Sequence, residues 1–139
     1  MSGKIFLDTN VLIYAHDRKA GAKGARALEI TRELWDKQNG VLSTQVLQEL
    51  YIGLRRKVSS PLSAEEAEQV LVDYFVWEIF TNNRESVIRA VQLETRYRIS
   101  FWDALILQAA ESSGCTLVYS EDLNSGQSYG AVRVLNPFL

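Results

Sequence analysis

Four acidic residues of this sequence lie beside or within apolar segments, where a carboxylate is costly to bury unless something neutralises it. They are Asp8, Glu49, Asp103 and Asp122. Brought together, these carboxylates would repel one another, so their juxtaposition requires cations between them or raised pKa values. Ligand sets made only of oxygen select hard divalent ions, Mg²⁺ or Mn²⁺, over zinc. Two such ions about 4 Å apart polarise a phosphodiester and activate water, which is the chemistry of a metal-dependent nuclease.

The remaining reactive residues offer few other chemistries. His16 is the only histidine, which is too little for two-histidine acid–base catalysis or for a typical zinc protease motif. Cys115 is the only cysteine, so neither an intramolecular disulfide nor a cysteine zinc site is expected. A lone cysteine also favours a reducing cytoplasm.

Each of the four acids also has a purely structural interpretation. Asp8 can cap the helix that follows it, and Asp103 with Ser100 fits a serine-x-x-acid capping box. Glu49 can be a glutamate at the boundary of a helix face, and Asp122 an ordinary loop acid. The metal hypothesis therefore depends on all four coming together.

Short apolar strands alternate with helices along the chain. The strands are predicted at 4–8, 41–43, 77–80, 116–120 and 132–135. The helices are predicted at 10–16, 25–39, 45–57, 64–75, 83–98 and 101–113, with loops at 17–24 and 121–130. This alternation favours an α/β fold, a three-layer α/β/α sandwich with a mainly parallel four- or five-stranded sheet, and residues 1–139 fit a single domain.

These elements predict where the acids lie. In open parallel sheets, ligands bind beyond the carboxyl ends of the strands, which places Asp8 and Asp122 at the same edge. Asp103 falls in an apolar helix that is expected to be buried all round. Glu49 flanks the apolar stripe of its helix, and Gly53, one turn later, is expected to leave an open surface beside the carboxylate.

The charge pattern is compatible with an RNA partner. The net charge is −2, but leaving out the four acids leaves 13 acidic residues against 15 basic ones. Basic clusters follow the first motif and end the helix that carries Glu49, and they are either phosphate-binding groups or ordinary solvated surface. The candidates for RNA binding are Arg18, Lys19, Arg55 and Arg56, in clusters that also contain Lys23, Arg26 and Lys57.

No segment approaches the ~20 apolar residues of a membrane span, and the first residues lack the apolar region of a secretory signal. We therefore expect a soluble, cytoplasmic protein that has no membrane partner.

Four short motifs, in this order, resemble the PIN-domain family, in particular the toxin nucleases of VapBC toxin–antitoxin pairs. The motifs are Leu7-Asp8-Thr9-Asn10-Val11, Gln48-Glu49-Leu50, Phe101-Trp102-Asp103-Ala104-Leu105-Ile106 and Ser120-Glu121-Asp122-Leu123. The similarity extends from Ile5 to Leu135, and the segment 120–127 is similar to one bacterial subgroup of these toxins.

The resemblance implies a parallel sheet flanked by helices, Mg²⁺- or Mn²⁺-dependent endoribonuclease activity, a homodimer, and inhibition by a VapB-like antitoxin that occludes the acidic cleft. The four acids would be the metal-binding carboxylates. A small polar residue usually supports them, for which Asn10 and Ser120 are the candidates, with Ser43 or Thr44 as further ones. Some members carry another acid two residues after the last aspartate, where this chain has Asn124.

Two alternatives differ from a nuclease. One is a PIN-fold module that binds RNA or protein without cutting it. The other is a phosphatase-like or receiver-like α/β domain. A haloacid-dehalogenase-like phosphatase needs a second aspartate where this chain has Asn10, and both usually use a lysine near the late strands, whereas the last lysine here is Lys57.

Overall fold

Strands and helices alternate along most of the chain. In the computed structural model, which describes residues 3–139, the strands are β1 (Lys4–Leu7), β2 (Gly40–Ser43), β3 (Glu78–Phe80), β4 (Cys115–Tyr119), β5 (Ser128–Tyr129) and β6 (Val132–Leu135). The helices are α1 (Thr9–Ala15), α2 (Gly21–Lys37), α3 (Thr44–Arg56), α4 (Ala64–Asp73), α5 (Arg84–Tyr97) and α6 (Phe101–Ser112), and a 3₁₀ turn at Tyr74–Val76 follows α4. The predicted α/β class is confirmed.

The strands form one sheet in the order β3-β2-β1-β4-β6-β5, and all neighbours are parallel except β5 and β6. β1 and β4 lie side by side, with Leu7 paired to Tyr119. Because both strands end at this pair, the residues that follow them come out at the same edge. The connections that leave β1 and β4 therefore begin next to each other.

Two loop predictions were wrong in part. The segment 121–130 contains β5, so the sheet has six strands instead of four or five. This strand has only two residues, too few for a hydrophobic alternation to reveal, and turns with positive φ at Gly126 and Gly130 return the chain beside β6. The segment 17–24 contains the start of α2, because the helix begins at Gly21, whose φ of 64° turns the chain into it.

The core lies between the sheet and the helices and contains buried side chains from every helix. α6 is the most buried helix, since residues 104–110 are all inaccessible to solvent, and it packs against β2 and β4. α2 and α3 pack against β2. Within residues 3–139, no helix has both the length and the apolar character needed to cross a bilayer.

An aromatic cluster of Trp35, Tyr74 and Trp77 packs beside β2. Trp77 packs edge-on against Trp35 and Tyr74, and its indole lies directly on Gly40 at the start of β2. A methyl group at residue 40 would come within 2.6 Å of the Trp77 Cε3 atom. A glycine is therefore required here by the close approach of the indole.

We predict that Gly40→Ala lowers the free energy of unfolding by roughly 1–3 kcal/mol, because overpacking forces the rigid Trp77 ring or the backbone to move. Urea denaturation measures the effect. In a Trp77→Leu background, which removes the ring that the methyl group would strike, the same substitution should cost clearly less. An equal cost in both backgrounds would contradict this account.

Candidate metal centre

Three carboxylates meet at the edge where β1 and β4 end. One oxygen each from Asp8, Asp103 and Asp122 lies within 4.8 Å of the other two. Asp8 directly follows β1, Asp122 lies three residues after the end of β4, and Asp103 lies in the first turn of α6. The sheet register and the start of one buried helix thus bring Asp8 together with two acids that lie more than 90 positions later in the chain.

Asp8 is buried and has two roles. Its Oδ1 accepts a hydrogen bond from the Thr9 amide at 2.7 Å, so it caps α1, and its Oδ2 accepts one from the Ser120 hydroxyl at 2.7 Å. Burial, with smaller contributions from the nearby charges of Asp122 and Glu49, raises the pKa of Asp8 to about 7 despite these two hydrogen bonds. The capping interpretation and the acid-cluster interpretation are both correct for this residue.

Ser120 connects two of the acids. Its hydroxyl is fully buried, donates to Asp8 Oδ2 and accepts a hydrogen bond from the Asp122 amide at 3.1 Å. Asn10 holds Asp122 from the other side, since its Nδ2 donates to Asp122 Oδ2 at 3.1 Å. The structure therefore places both predicted supporting residues in contact with the acids.

Asp103 projects from the start of α6 into the same group. Ser100 caps the helix, because its hydroxyl accepts a hydrogen bond from the Asp103 amide at 3.0 Å, while the Asp103 carboxylate lies with those of Asp8 and Asp122. Partial burial raises the pKa of Asp103; the Ser100 hydroxyl opposes this, and the charges of Asp122 and Glu49 add to it. The helix thus presents a half-buried carboxylate to two others.

Glu49 lies beside the group of three and is held at both oxygens. Thr9 Oγ1 donates to Oε1 at 2.7 Å, and Gln45 Nε2 donates to Oε2 at 3.3 Å. Gln45 Nε2 also donates to the Trp102 carbonyl at 3.2 Å, which ties α3 to the start of α6. The sequence analysis did not identify Thr9 or Gln45 in these roles, although Gln45 precedes Glu49 by four residues, the spacing at which helical side chains meet.

The loop that carries Asp122 is anchored by the residue before it. Glu121 accepts hydrogen bonds from the Tyr14 hydroxyl at 2.5 Å and from Lys23 Nζ at 2.9 Å. The Lys23 ammonium also lies 5.1 Å from the Tyr14 ring centroid and 5.6 Å from that of Phe138. These contacts link the loop to α1 and α2, and they occupy Lys23, so it is paired with protein groups.

The other predicted supporting residues have structural roles. Ser43 caps α3 by accepting a hydrogen bond from the Val46 amide, and Thr44 accepts one from the Asn82 amide. Asn124 donates to Gln127 at 3.0 Å within the loop between β4 and β5. Their hydrogen bonds stabilise a helix start and two loops instead of the acids.

A cleft of about 490 Å³ opens beside the acids. Its lining combines acidic, polar and apolar side chains with one cation, and consists of Asp8, Thr9, Asn10, Ile13, Gln48, Glu49, Ile52, Lys57 and Asp122. The expectation that Gly53 leaves an open surface beside Glu49 was wrong. Gly53 is buried under Ile13, whose side chain occupies the space that a larger residue at position 53 would fill.

The four predicted RNA-binding residues lie outside this lining in the described part of the chain. Arg18 lines a separate cleft between α1 and α2, and the Lys19 amide donates to Asp17. Arg55 donates to the Leu62 carbonyl at 3.4 Å, and Arg56 is exposed on the last turn of α3. Of the basic clusters in the sequence, Lys57 is the member that faces the cleft.

The donor set fits a hard divalent cation. Its atoms are carboxylate oxygens close enough to share one ion, and a cation would neutralise the buried Asp8 carboxylate, whose pKa burial raises. Asn10 Oδ1, also at this edge, is buried and has no hydrogen-bond partner among residues 3–139, so a further oxygen donor is present. Asp8, Asp103 and Asp122 would hold the ion directly.

Comparison with models of known protein families assigns this chain to one of them. The sequence matches the model of the PIN domain over residues 5–125. The chain belongs to the PIN-domain family. This assignment agrees with the resemblance noted from the four motifs, and it sets aside the phosphatase-like and receiver-like alternatives.

Solved structures share the fold of this PIN domain. FitAB bound to an IR36 DNA fragment superposes with a TM-score of 0.72 at 21% identity, covering 97% of this chain and 96% of that one. VapC20 of Mycobacterium tuberculosis, described as a sarcin-ricin loop cleaving toxin, has a TM-score of 0.67 at 21% identity and covers 86% and 90%. DNA-bound VapBC of Salmonella typhimurium has a TM-score of 0.67 at 20% identity and covers 96% and 97%. No curated protein matches the sequence significantly.

The raised pKa of Asp8 predicts a pH dependence of stability in chelator-treated protein. The folded PIN domain binds a proton on Asp8 up to about pH 7, whereas the unfolded chain releases it near 3.8. The folded state therefore holds more protons in this window, and the free energy of unfolding falls as pH rises through it. Asp8→Asn removes this loss, so its stability relative to wild type should improve by about 1.4 kcal/mol for each pH unit between pH 5 and pH 7 and change little above that.

Urea denaturation at a series of pH values measures this difference. Asp36→Asn is the matched control, since it makes the same chemical change at an exposed acid on α2, outside the cluster. A parallel pH profile for wild type and Asp8→Asn would show that Asp8 titrates normally in the folded protein.

If the acids bind a divalent cation, adding the cation should stabilise the folded protein. Mn²⁺ should raise the melting temperature of wild type, since a ligand at a hundred times its Kd adds about 2.7 kcal/mol to the folded state. Asp103→Asn and Asp122→Asn should gain less because each removes one ligand, while Asp36→Asn should gain as much as wild type. A melting temperature of wild type that ignores millimolar Mn²⁺ would contradict the metal centre.

Proposed function

We propose that this PIN domain is a Mg²⁺- or Mn²⁺-dependent endoribonuclease that hydrolyses RNA phosphodiesters with a metal-activated water. The observation that carries the proposal is the meeting of Asp8, Asp103 and Asp122 within 4.8 Å at the carboxyl edge of a parallel sheet. Three carboxylates at this spacing are poor at holding a structure together but well suited to holding a divalent cation. Membership of the PIN-domain family, whose nucleases generally use divalent metals, supports the same chemistry.

The bound cation would polarise the phosphodiester, lower the pKa of the attacking water and stabilise the leaving oxygen. The chain supplies the orientation of its ligands. Ser120 and the Thr9 amide hold both oxygens of Asp8, and Asn10 holds Asp122. Glu49, fixed by Thr9 and Gln45, completes the oxygen set from the side of the cleft, where the substrate would enter.

We also propose that the chain is the toxin of a toxin–antitoxin pair, that it forms a homodimer, and that it acts in the cytoplasm. The structures of similar fold include VapBC and FitAB assemblies, which support a VapB-like antitoxin as partner.

We predict that purified protein cleaves RNA in the presence of Mn²⁺ or Mg²⁺ and that a chelator abolishes the activity. Asp8→Asn and Asp103→Asn should lower the cleavage rate by roughly 100-fold or more, because each removes a direct ligand. Ser120→Ala should lower it by about 10- to 100-fold, the usual effect of losing a group that orients a ligand. Gel electrophoresis of a labelled RNA follows the reaction.

Asp36→Asn carries the same chemical change outside the cluster and should cleave at the wild-type rate. Cleavage that persists in chelator, or equal rates for wild type and Asp103→Asn, would reject the metal mechanism. A wild type that binds RNA and Mn²⁺ but cleaves nothing would favour an RNA-binding module instead.

A further inference from the structure

One cation faces the acidic cleft. Lys57 lines it at the end of α3, and it is the only basic residue in that lining among residues 3–139. The residue is exposed, and none of the ion pairs in the described chain involves it. Lys23, another lysine of the basic clusters, is paired with Glu121. A positive charge thus faces the cleft without a protein partner.

α3 sets the distance between this charge and the acids. Glu49 and Gly53 lie four residues apart on one side of α3, and Lys57, the C-cap residue, follows after four more. Eight residues of helix correspond to about 12 Å along its axis. The cleft, which both Glu49 and Lys57 line, therefore covers about 12 Å along α3, a length that suits about two nucleotides.

The floor between these ends is apolar. Ile13 covers Gly53, and a methyl group at residue 53 would come within 2.8 Å of the Ile13 Cγ1 atom. Ile52, with 43% of its surface exposed, forms the adjoining wall. A half-exposed isoleucine in a cleft is a surface on which a nucleoside can pack without hydrogen-bond readout of its identity.

We propose that Lys57 binds a phosphate of the RNA strand about two nucleotides from the one held at the acids, with the intervening nucleosides lying on Ile13 and Ile52. This inference rests on the proposed endoribonuclease function and adds the path of the substrate: single-stranded RNA runs along α3, from the carboxylates to the end of the helix. A strand bound in this way meets one neutralising charge at its backbone and an apolar surface at its base. Lys57 is thus a substrate-binding residue outside the metal centre.

The test compares two neighbouring cations. Lys57→Ala should raise KM for a labelled, unstructured oligouridylate about fivefold and leave kcat within twofold of wild type, because the metal ligands are untouched. In an Asp103→Asn background, where turnover is suppressed, the same substitution should raise Kd by a similar factor. The slope of log Kd against log salt should fall by about 0.7, as expected for one lost phosphate contact to a single strand.

Arg56→Ala is the matched control, since it removes a charge from the adjacent exposed residue on the same turn but outside the cleft. It should leave KM and the salt slope close to wild type, while Lys57→Arg should restore both. Ile52→Ser should raise KM without changing the salt slope. Melting temperatures of all the variants exclude unfolding as the cause.

Equal effects of Lys57→Ala and Arg56→Ala on KM, Kd and salt slope would overturn the assignment of Lys57, even if wild type cleaves RNA. Failure of wild type to cleave any RNA would overturn the proposed function, while the Kd comparison would still decide whether RNA occupies the cleft. If Lys57→Ala leaves RNA affinity unchanged but weakens the complex with an antitoxin, the cleft binds protein and the RNA path is rejected.

Discussion

The whole site depends on the register between β1 and β4. Leu7 pairs with Tyr119, and the Asp8 amide donates to the Tyr119 carbonyl at 3.0 Å, so the two strands end together. This alignment brings Asp8 beside Ser120, whose hydroxyl then reaches both Asp8 and the Asp122 amide. A shift of one residue would turn Asp8 to the other face of the sheet and separate it from the group.

The cluster is held against its own repulsion by neutral groups. The Ser120 hydroxyl donates to Asp8, and the Asn10 amide donates to Asp122. The Thr9 hydroxyl and the Gln45 amide donate to Glu49. Among residues 3–139, no lysine or arginine forms an ion pair with Asp8, Glu49, Asp103 or Asp122. A divalent cation held by these acids would offset the repulsion that the neutral groups leave in place.

Much of this arrangement can be predicted from the sequence, because the strands and α6 are strongly patterned and the acids lie at their ends. Asp8 and Asp103 stand out since their surroundings are apolar. Other features have no local signal. β5 has only two residues, which is too short for a hydrophobic pattern. Whether Lys57 or Arg56 faces the cleft depends on the rotation of α3 against α1. That rotation is fixed by the tertiary packing of Ile13 on a helix formed far away in the chain.

The contact between Ile13 and Gly53 has a consequence for how this cleft changes during evolution. The depth of its floor depends on two residues: Ile13 on α1 has a branched side chain, and Gly53 on α3 has none. A larger residue at position 53 fits only when position 13 becomes smaller, so the two sites must vary together. Related sequences that exchange bulk between these positions would keep the same metal ligands while altering the shape offered to the substrate.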